Sequence, residues 1–180
     1  MIKQVAFLRG INVGGHNLVP MDALKKAFES IGFENVKTLL VSGNVLFEAP
    51  QTNSSVLVKK IEGKLEKTFG HEIGVLVSTI KELQHLNKTN PFKGILVTPQ
   101  TRLYVTFLSE KRKTSLKIPY ESSDKSFKII QVTASKVCSV LILSPNSKTV
   151  DLMGILEKEF GKKITTRNWN TITRILKDSQ

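Results

Sequence analysis

Apolar positions in the first 78 residues follow two different spacings. Short apolar runs at 3–9, 35–40, 45–48 and 72–78 have the length of strands and end at glycine or polar turn residues. Between them, apolar side chains recur every three or four residues, as on one face of an amphipathic helix. These helical stripes are Met21, Leu24, Phe28 and Ile31, and Val58, Ile61, Leu65 and Phe69. The predicted order of elements is β-α-β-β-α-β.

The second half repeats this order and adds a helix at its end. Strand-like runs occupy 102–108, 126–132 and 137–143, and a shorter one follows at 162–166. The charged stretch after residue 108 is a candidate for a short helix. The remaining helical stripes are Val150, Met153, Leu156 and Phe160, and Trp169, Ile172 and Ile175.

The repeated order predicts the fold class. A β-α-β-β-α-β unit forms a ferredoxin-like α/β plait, in which an antiparallel sheet has its helices packed on one face. We therefore expect an α+β protein with two plait subdomains. The first spans 1–78 and contains a glycine-rich loop, the second spans 101–180 and ends in a helix, and a helical connector at 79–100 joins them.

Composition narrows the class of protein. None of the apolar runs in the 180 residues reaches the roughly 18 residues that a membrane span requires. The first apolar run is too short for a signal peptide, so we expect a cytoplasmic protein without a membrane partner.

Cys138 is the only cysteine and lies in an apolar run, which predicts a buried side chain. The three histidines lack metal-ligand spacing, and the sequence predicts neither a metal nor a cofactor.

The net charge of +12 is unevenly distributed along the chain. Residues 1–90 carry 11 basic and 8 acidic side chains, whereas residues 91–180 carry 16 and 7. A basic excess in one half can attract polyanions such as nucleic acid. A lysine-rich surface that only keeps the protein in solution explains the same numbers, and the run at 109–117 is typical of a solvated loop.

A glycine-rich loop, RGINVGGHN at 9–17, separates the first strand from the first helix. Glycines permit positive φ and let a ligand approach the backbone N–H groups, as in anion-binding loops. Gly10 and Gly15 have the spacing of the Walker A glycines, but His16 and Asn17 replace the residues that bind phosphate and magnesium. The loop is therefore either an anion-binding loop of another kind or a structural turn.

Side chains of this loop and of two other segments are candidates for binding. Arginine offers a planar fork to phosphate or carboxylate, although Arg9 could equally form an internal salt bridge. Histidine can act as an acid, a base or a hydrogen-bond donor. Further polar groups lie in a predicted hairpin turn and at the start of the last helix, where the helix dipole favours an anion. The candidate ligand-binding residues are Arg9, Gly10, Asn12, Gly14, Gly15, His16, Ser42, Asn44, Arg167 and Asn170.

Three motifs in the chain carry a family resemblance. RGINVGG at 9–15, SGNVLF at 42–47 and TTRNWNT at 165–171 resemble the bacterial family called domain of unknown function 1697. The resemblance implies a pair of ferredoxin-like subdomains, in agreement with the predicted order of elements. It implies no established activity, and no catalytic role accompanies the matching residues.

Three classes of function follow from these observations. The first is a module that binds a phosphate-bearing ligand, a nucleotide or nucleic acid, through the glycine-rich loop and basic residues. The second is a structural or protein-interaction protein with no small ligand. The third is an enzyme acting on a small anionic substrate, with His16 as the acid or base. The sequence leaves the ligand, any catalysis and the oligomeric state undecided, and it does not show whether the loop and the TTRNWN segment share one site.

Overall fold

We analysed the protein as a computed structural model, which describes residues 1–110, 114–144 and 151–180. The first six elements follow the predicted order, with strand and helix boundaries within a few residues of those expected. They are β1 (Ile2–Leu8), α1 (Met21–Glu29), β2 (Glu34–Leu39), β3 (Asn44–Ala49), α2 (Ser54–Phe69) and β4 (Val75–Thr79). The later elements are α3 (Ile80–Thr89), β5 (Thr101–Leu108), β6 (Tyr120–Glu121), β7 (Phe127–Val132), β8 (Lys136–Ile142), α4 (Leu152–Phe160), β9 (Ile164–Asn168) and α5 (Trp169–Asp178).

The first sheet has the strand order β2-β3-β1-β4, and every neighbouring pair is antiparallel. In the centre, Ala6 on β1 lies opposite Val45 on β3 and Val77 on β4. This is the order of a ferredoxin-like plait, because each helix carries the chain over one strand before it returns to the sheet.

Helices α1 and α2 cover one face of this sheet. Their buried apolar side chains pack with those of β1 and β3 around three phenylalanines. The rings of Phe33 and Phe47 stack at 4.7 Å between centroids, and Phe28 meets Phe47 edge-on at 5.4 Å. The α2 helix is capped at both ends, since Asn53 accepts a hydrogen bond from the backbone of the first turn and Gly70 ends the helix at φ 78°.

The second sheet has five strands in the order β6-β7-β8-β5-β9. Its last four strands repeat the order of the first sheet, and α4 packs its buried side chains on one face. The predicted fold class, α+β with two ferredoxin-like subdomains, is confirmed.

The helix expected after residue 108 is absent from the described part of that stretch, where a short edge strand, β6, occurs instead. A helix does not form because the apolar residues recur at every second position, as in a strand. Leu116, Ile118 and Tyr120 pack against the same apolar core as α4. Pro119 within this run also lacks the N–H that a helix interior requires. Residues 111–113 of the charged run at 109–117, and Val150 of the predicted α4 stripe, lie outside the described residues.

The chain divides into two compact units. The first comprises Met1–Gln84 with Ile175–Gln180, and the second comprises His85–Arg174. The three-part division at 1–78, 79–100 and 101–180 stays a prediction. Among the described residues, no helix combines the length and the apolar character needed to cross a membrane.

Candidate functional site

The glycine-rich loop of the first unit folds into a miniature hairpin. The N–H of His16 donates to the carbonyl of Val13 at 3.1 Å, and the two residues between them, Gly14 and Gly15, have φ values of 59° and 78°. Positive φ at both central positions is the signature of a type I′ turn, which favours glycine strongly. The glycine pair therefore has a structural explanation that needs no ligand.

Asn12 organises the backbone around this hairpin. Its side-chain oxygen accepts the N–H of Val19 at 2.8 Å, and its amide nitrogen donates to the carbonyls of Val19 at 3.2 Å and Val41 at 2.9 Å. The Asn12 N–H donates to the carbonyl of Asn17, whose side chain in turn donates to the carbonyl of Gly10. One asparagine thus joins the loop to the turn that precedes β3.

That turn, 40–43, packs tightly against the end of β1. The carbonyl of Gly43 accepts the N–H of Leu8 at 2.8 Å, and a Cβ at Gly43 would lie only 2.7 Å from the Ile11 side chain. Asn44 is fully buried, and its amide donates to the carbonyl of Leu39 at 3.0 Å and the hydroxyl of Ser42 at 3.1 Å. We call residues 9–19 together with 40–43 the loop–turn surface.

The predicted ligand-binding groups of the loop differ in exposure. His16 and both turn glycines are exposed, and among the described residues no group accepts the N–H of Gly14 or Gly15. Gly10 is exposed at φ 66°. Arg9 is half-buried, and its N–H donates to the carbonyl of Gly74 at 2.8 Å. The loop thus presents backbone donors and an imidazole to solvent.

Apolar side chains on the same surface were missed by the sequence analysis. Val13, Leu18 and Val41 are 68%, 69% and 69% exposed, and Leu40 is 38% exposed at φ 60°. A signal was present in the sequence for Val13, Leu18 and Val41, because they lie near glycine or asparagine and belong to no predicted strand or helical stripe. Leu40, by contrast, ends the predicted strand at 35–40. Four of the nine large apolar residues that are exposed in the described chain lie here.

The candidates near the C-terminus belong to the second unit. Arg167 on β9 is 9% exposed, and its guanidinium donates to the hydroxyl of Thr165 at 2.9 Å and the carbonyl of Thr166 at 3.0 Å. Burial lowers the pKa of Arg167 to about 10, so it remains charged at neutral pH. The exposed Asn170 gives its N–H to the side chain of Asn168, which caps α5.

The structure therefore groups the candidates into two sets, one in each unit. The loop and turn residues are joined by the Asn12 contacts, and Arg167 and Asn170 lie three residues apart at the β9–α5 junction. Whether any of these residues binds a ligand stays a prediction.

Cys138 is buried as expected, and burial raises the pKa of its thiol to about 12, so it is protonated near neutral pH. The described residues include no group of three potential metal-ligating His, Cys, Asp or Glu side chains.

Comparisons with known proteins identify a shared fold and a family. The chain is similar to the solved structure of the conserved bacterial protein SP0830 from Streptococcus pneumoniae, with a TM-score of 0.70 and 18% sequence identity. The alignment covers 99% of this chain and 99% of the SP0830 chain. At that identity the likeness concerns the fold alone. No curated protein matches the chain significantly. The family model described as protein of unknown function (DUF1697) matches residues 1–137, which include the loop–turn surface and end before Arg167. The chain belongs to the DUF1697 family.

Proposed function

We propose that this protein is a binding module whose loop–turn surface receives an apolar segment of a partner protein. The observation that carries the proposal is the clustering of Val13, Leu18, Leu40 and Val41, all exposed, on two segments joined by Asn12. Contiguous exposed apolar side chains commonly mark interaction sites, whereas single ones need no explanation.

The hydrogen-bonded frame supports this function. Asn12 and the Leu8–Gly43 contact hold the backbone of both segments in place before any partner arrives. A preorganised surface loses less conformational entropy on binding, so more of the contact energy is available for affinity. Six consecutive exposed residues, 13–18, favour a macromolecular partner, because small ligands prefer concave pockets.

A display selection of random 12-residue peptides against the full chain tests the proposal. We expect recovered peptides rich in leucine, isoleucine or phenylalanine, with affinity at least about tenfold weaker for the double variant Val13→Ser/Leu18→Ser. Val56→Ser is the matched control, since Val56 is 57% exposed on α2 outside the surface. If no recovered peptide distinguishes the double variant from wild type, the proposal is wrong.

A second candidate function, binding of a phosphate-bearing ligand such as a nucleotide or nucleic acid, has its own observation. The N–H groups of Gly14 and Gly15 have no partner among the described residues and lie at an exposed turn. Residues 9–20 contain one arginine and no carboxylate that would repel an anion. Turn N–H groups in such a setting can donate to phosphate oxygens.

Nuclear magnetic resonance separates this candidate from the first. Addition of inorganic pyrophosphate, ATP or a short RNA should shift the amide signals of Gly14 and Gly15. The amide of Gly70, an exposed glycine at φ 78° that ends α2, serves as the internal control. Signals that stay in place across the titrations, or that move equally at Gly70, would remove the phosphate function from this loop.

A further inference from the structure

A second group of exposed aliphatic residues lies in the second unit. Leu96 is 81% exposed, Val97 62% and Leu143 39%. Hydrogen bonds join the segments that carry them. The N–H of Leu143 donates to the carbonyl of Gln100 at 2.9 Å, and the hydroxyl of Thr101 donates to the carbonyl of Leu96 at 3.3 Å. Together with the loop–turn surface, this group accounts for seven of the nine exposed large apolar residues in the described chain.

The loop that carries Leu96 and Val97 is held in place by hydrogen bonds. The N–H of Thr98 donates to the Thr101 hydroxyl at 3.0 Å, and the N–H of Ile95 donates to the carbonyl of Phe92 at 3.0 Å. Phe92 is itself buried and meets the ring of Trp169 edge-on at 5.1 Å. The two aliphatic side chains are therefore exposed on a loop anchored at both ends.

Arg102 lies on β5 directly after this loop, and its guanidinium bonds to the loop backbone. One guanidinium nitrogen, Nη1, donates to the carbonyls of Pro99 at 2.7 Å and Thr101 at 3.0 Å, so the loop itself holds the guanidinium. Among the described residues, no carboxylate forms an ion pair with it. The rest of its planar fork remains available to an external carboxylate or phosphate. We call Leu96, Val97, Leu143 and Arg102 the Arg102 patch.

The unit that contains these residues carries a large positive net charge. The second unit, 85–174, contains 16 basic and 6 acidic residues, a net charge of +10, whereas the first unit contains 11 and 9, a net charge of +2. Within this unit, the stretch 85–109 carries Lys88, Lys93 and Arg102 and no acidic residue. An approaching partner with negative charge is therefore attracted to the unit that contains the patch.

We propose that the Arg102 patch is a docking site for an acidic segment of a partner protein, one that combines carboxylates with apolar side chains. The carboxylate would pair with the Arg102 fork while aliphatic side chains cover Leu96, Val97 and Leu143. A nucleic acid fits less well, because single-stranded nucleic acid usually stacks its bases on aromatic side chains. The exposed large apolar residues described here are only Met, Val and Leu. The patch shares no residue with the loop–turn surface, and the proposal does not depend on the function of that surface.

The same 12-residue display library, selected on the full chain, tests this proposal. We expect a set of peptides with both Asp or Glu and aliphatic residues that bind Leu96→Ser/Val97→Ser about tenfold more weakly than wild type. Arg102→Gln should weaken the same peptides several-fold and reduce the salt dependence of their binding. The first variant replaces two exposed side chains, and the second replaces a half-buried one. A thermal melt confirms that each variant folds.

Two controls keep this result distinct from the proposed function. Val13→Ser/Leu18→Ser and Val56→Ser should both leave the acidic peptides bound as in wild type. The docking proposal is overturned if no acidic peptide is recovered, or if those recovered bind the Leu96→Ser/Val97→Ser variant equally well. It is also overturned if a 12-nucleotide RNA, and no peptide, loses affinity in the Arg102 patch variants.

Discussion

The two units of this protein build the same strand order by different means. In the first, β1 connects to β2 through α1, and two helices cover one face of a four-stranded sheet. In the second, the described connection from β5 to β7 contains the edge strand β6, and α4 packs on the sheet. The inward alternation of residues 116–120 contributes to the core on the covered face of the second sheet. The order of paired strands therefore persists although the described residues between β5 and β7 contain no crossover helix.

The surfaces of the two units differ more than their sheets. Exposed aliphatic residues follow β1 in the first unit but precede β5 in the second. The first unit is nearly neutral and the second carries a net charge of +10. A repeated fold therefore does not imply a repeated binding site, because sites depend on loops and surface side chains.

Removal of a core ring in each unit should have the largest effect. Phe47→Ala should lower the free energy of unfolding by about 4 kcal/mol, since Phe47 is 1% exposed and contacts two other rings. Phe127→Ala should cost about 3 kcal/mol, because Phe127 is equally buried but, among the described rings, contacts that of Tyr120 alone, at 6.5 Å. Urea denaturation followed by circular dichroism measures both. A loss below about 1 kcal/mol at either site would contradict the packing described for that unit.

Two glycines of the loop–turn surface should respond differently to alanine. Gly43→Ala should cost about 3 kcal/mol, because its φ of 76° is strained for alanine and the new methyl group would lie 2.7 Å from Ile11 and 2.9 Å from Leu8. Gly15→Ala has a similar φ of 78° but nothing within 4 Å, so only the backbone cost of about 1 kcal/mol should remain. Equal losses in thermal or urea unfolding would show that the turn does not pack against β1 as described.

Asn12→Ala should destabilise the first unit by about 1–2 kcal/mol. The substitution leaves the carbonyls of Val19 and Val41 and the N–H of Val19 without their present partner. Asn17→Ala is the matched control, because it also has positive φ but its side chain makes a single exposed hydrogen bond, to Gly10. Amide hydrogen exchange should speed up at Val19 in the first variant and stay near wild type in the second. The opposite ranking would reject Asn12 as the organising residue.

The smallest expected change in the free energy of unfolding comes from a buried hydroxyl in the second unit. The hydroxyl of Ser139 on β8 is fully buried and has no hydrogen-bond partner among the described residues. Ser139→Ala should leave the free energy of unfolding unchanged or raise it by up to about 1 kcal/mol, since an unpaired buried hydroxyl is costly. A loss above about 1 kcal/mol in urea denaturation would show that the Ser139 hydroxyl has a hydrogen-bond partner in the folded protein.

Local sequence patterns predicted most of the fold and only part of the candidate site. Strand and helix periodicity in the first unit and the fold class are confirmed. The helix expected after β5 is absent from the described residues, because Leu116, Ile118 and Tyr120 alternate inward as in a strand. The charged residues of this stretch concealed that alternation from the prediction. The glycine pair could be assigned to a tight turn, yet the exposure of Val13 could not, since it depends on which distant residues fail to cover it.

The sequence by itself determined the order of the first six elements, the charge and the family motifs, because these depend on neighbours along the chain. Tertiary structure decided which hydrogen bonds each polar candidate residue makes and how far its side chain is buried. Asn12 reaches Val41, 29 residues away, only because β1 and β3 are paired, and Arg167 is buried because of its position on β9. Hydrogen bonds between distant segments and the solvent exposure of a side chain are properties of packing, which local spacing does not encode.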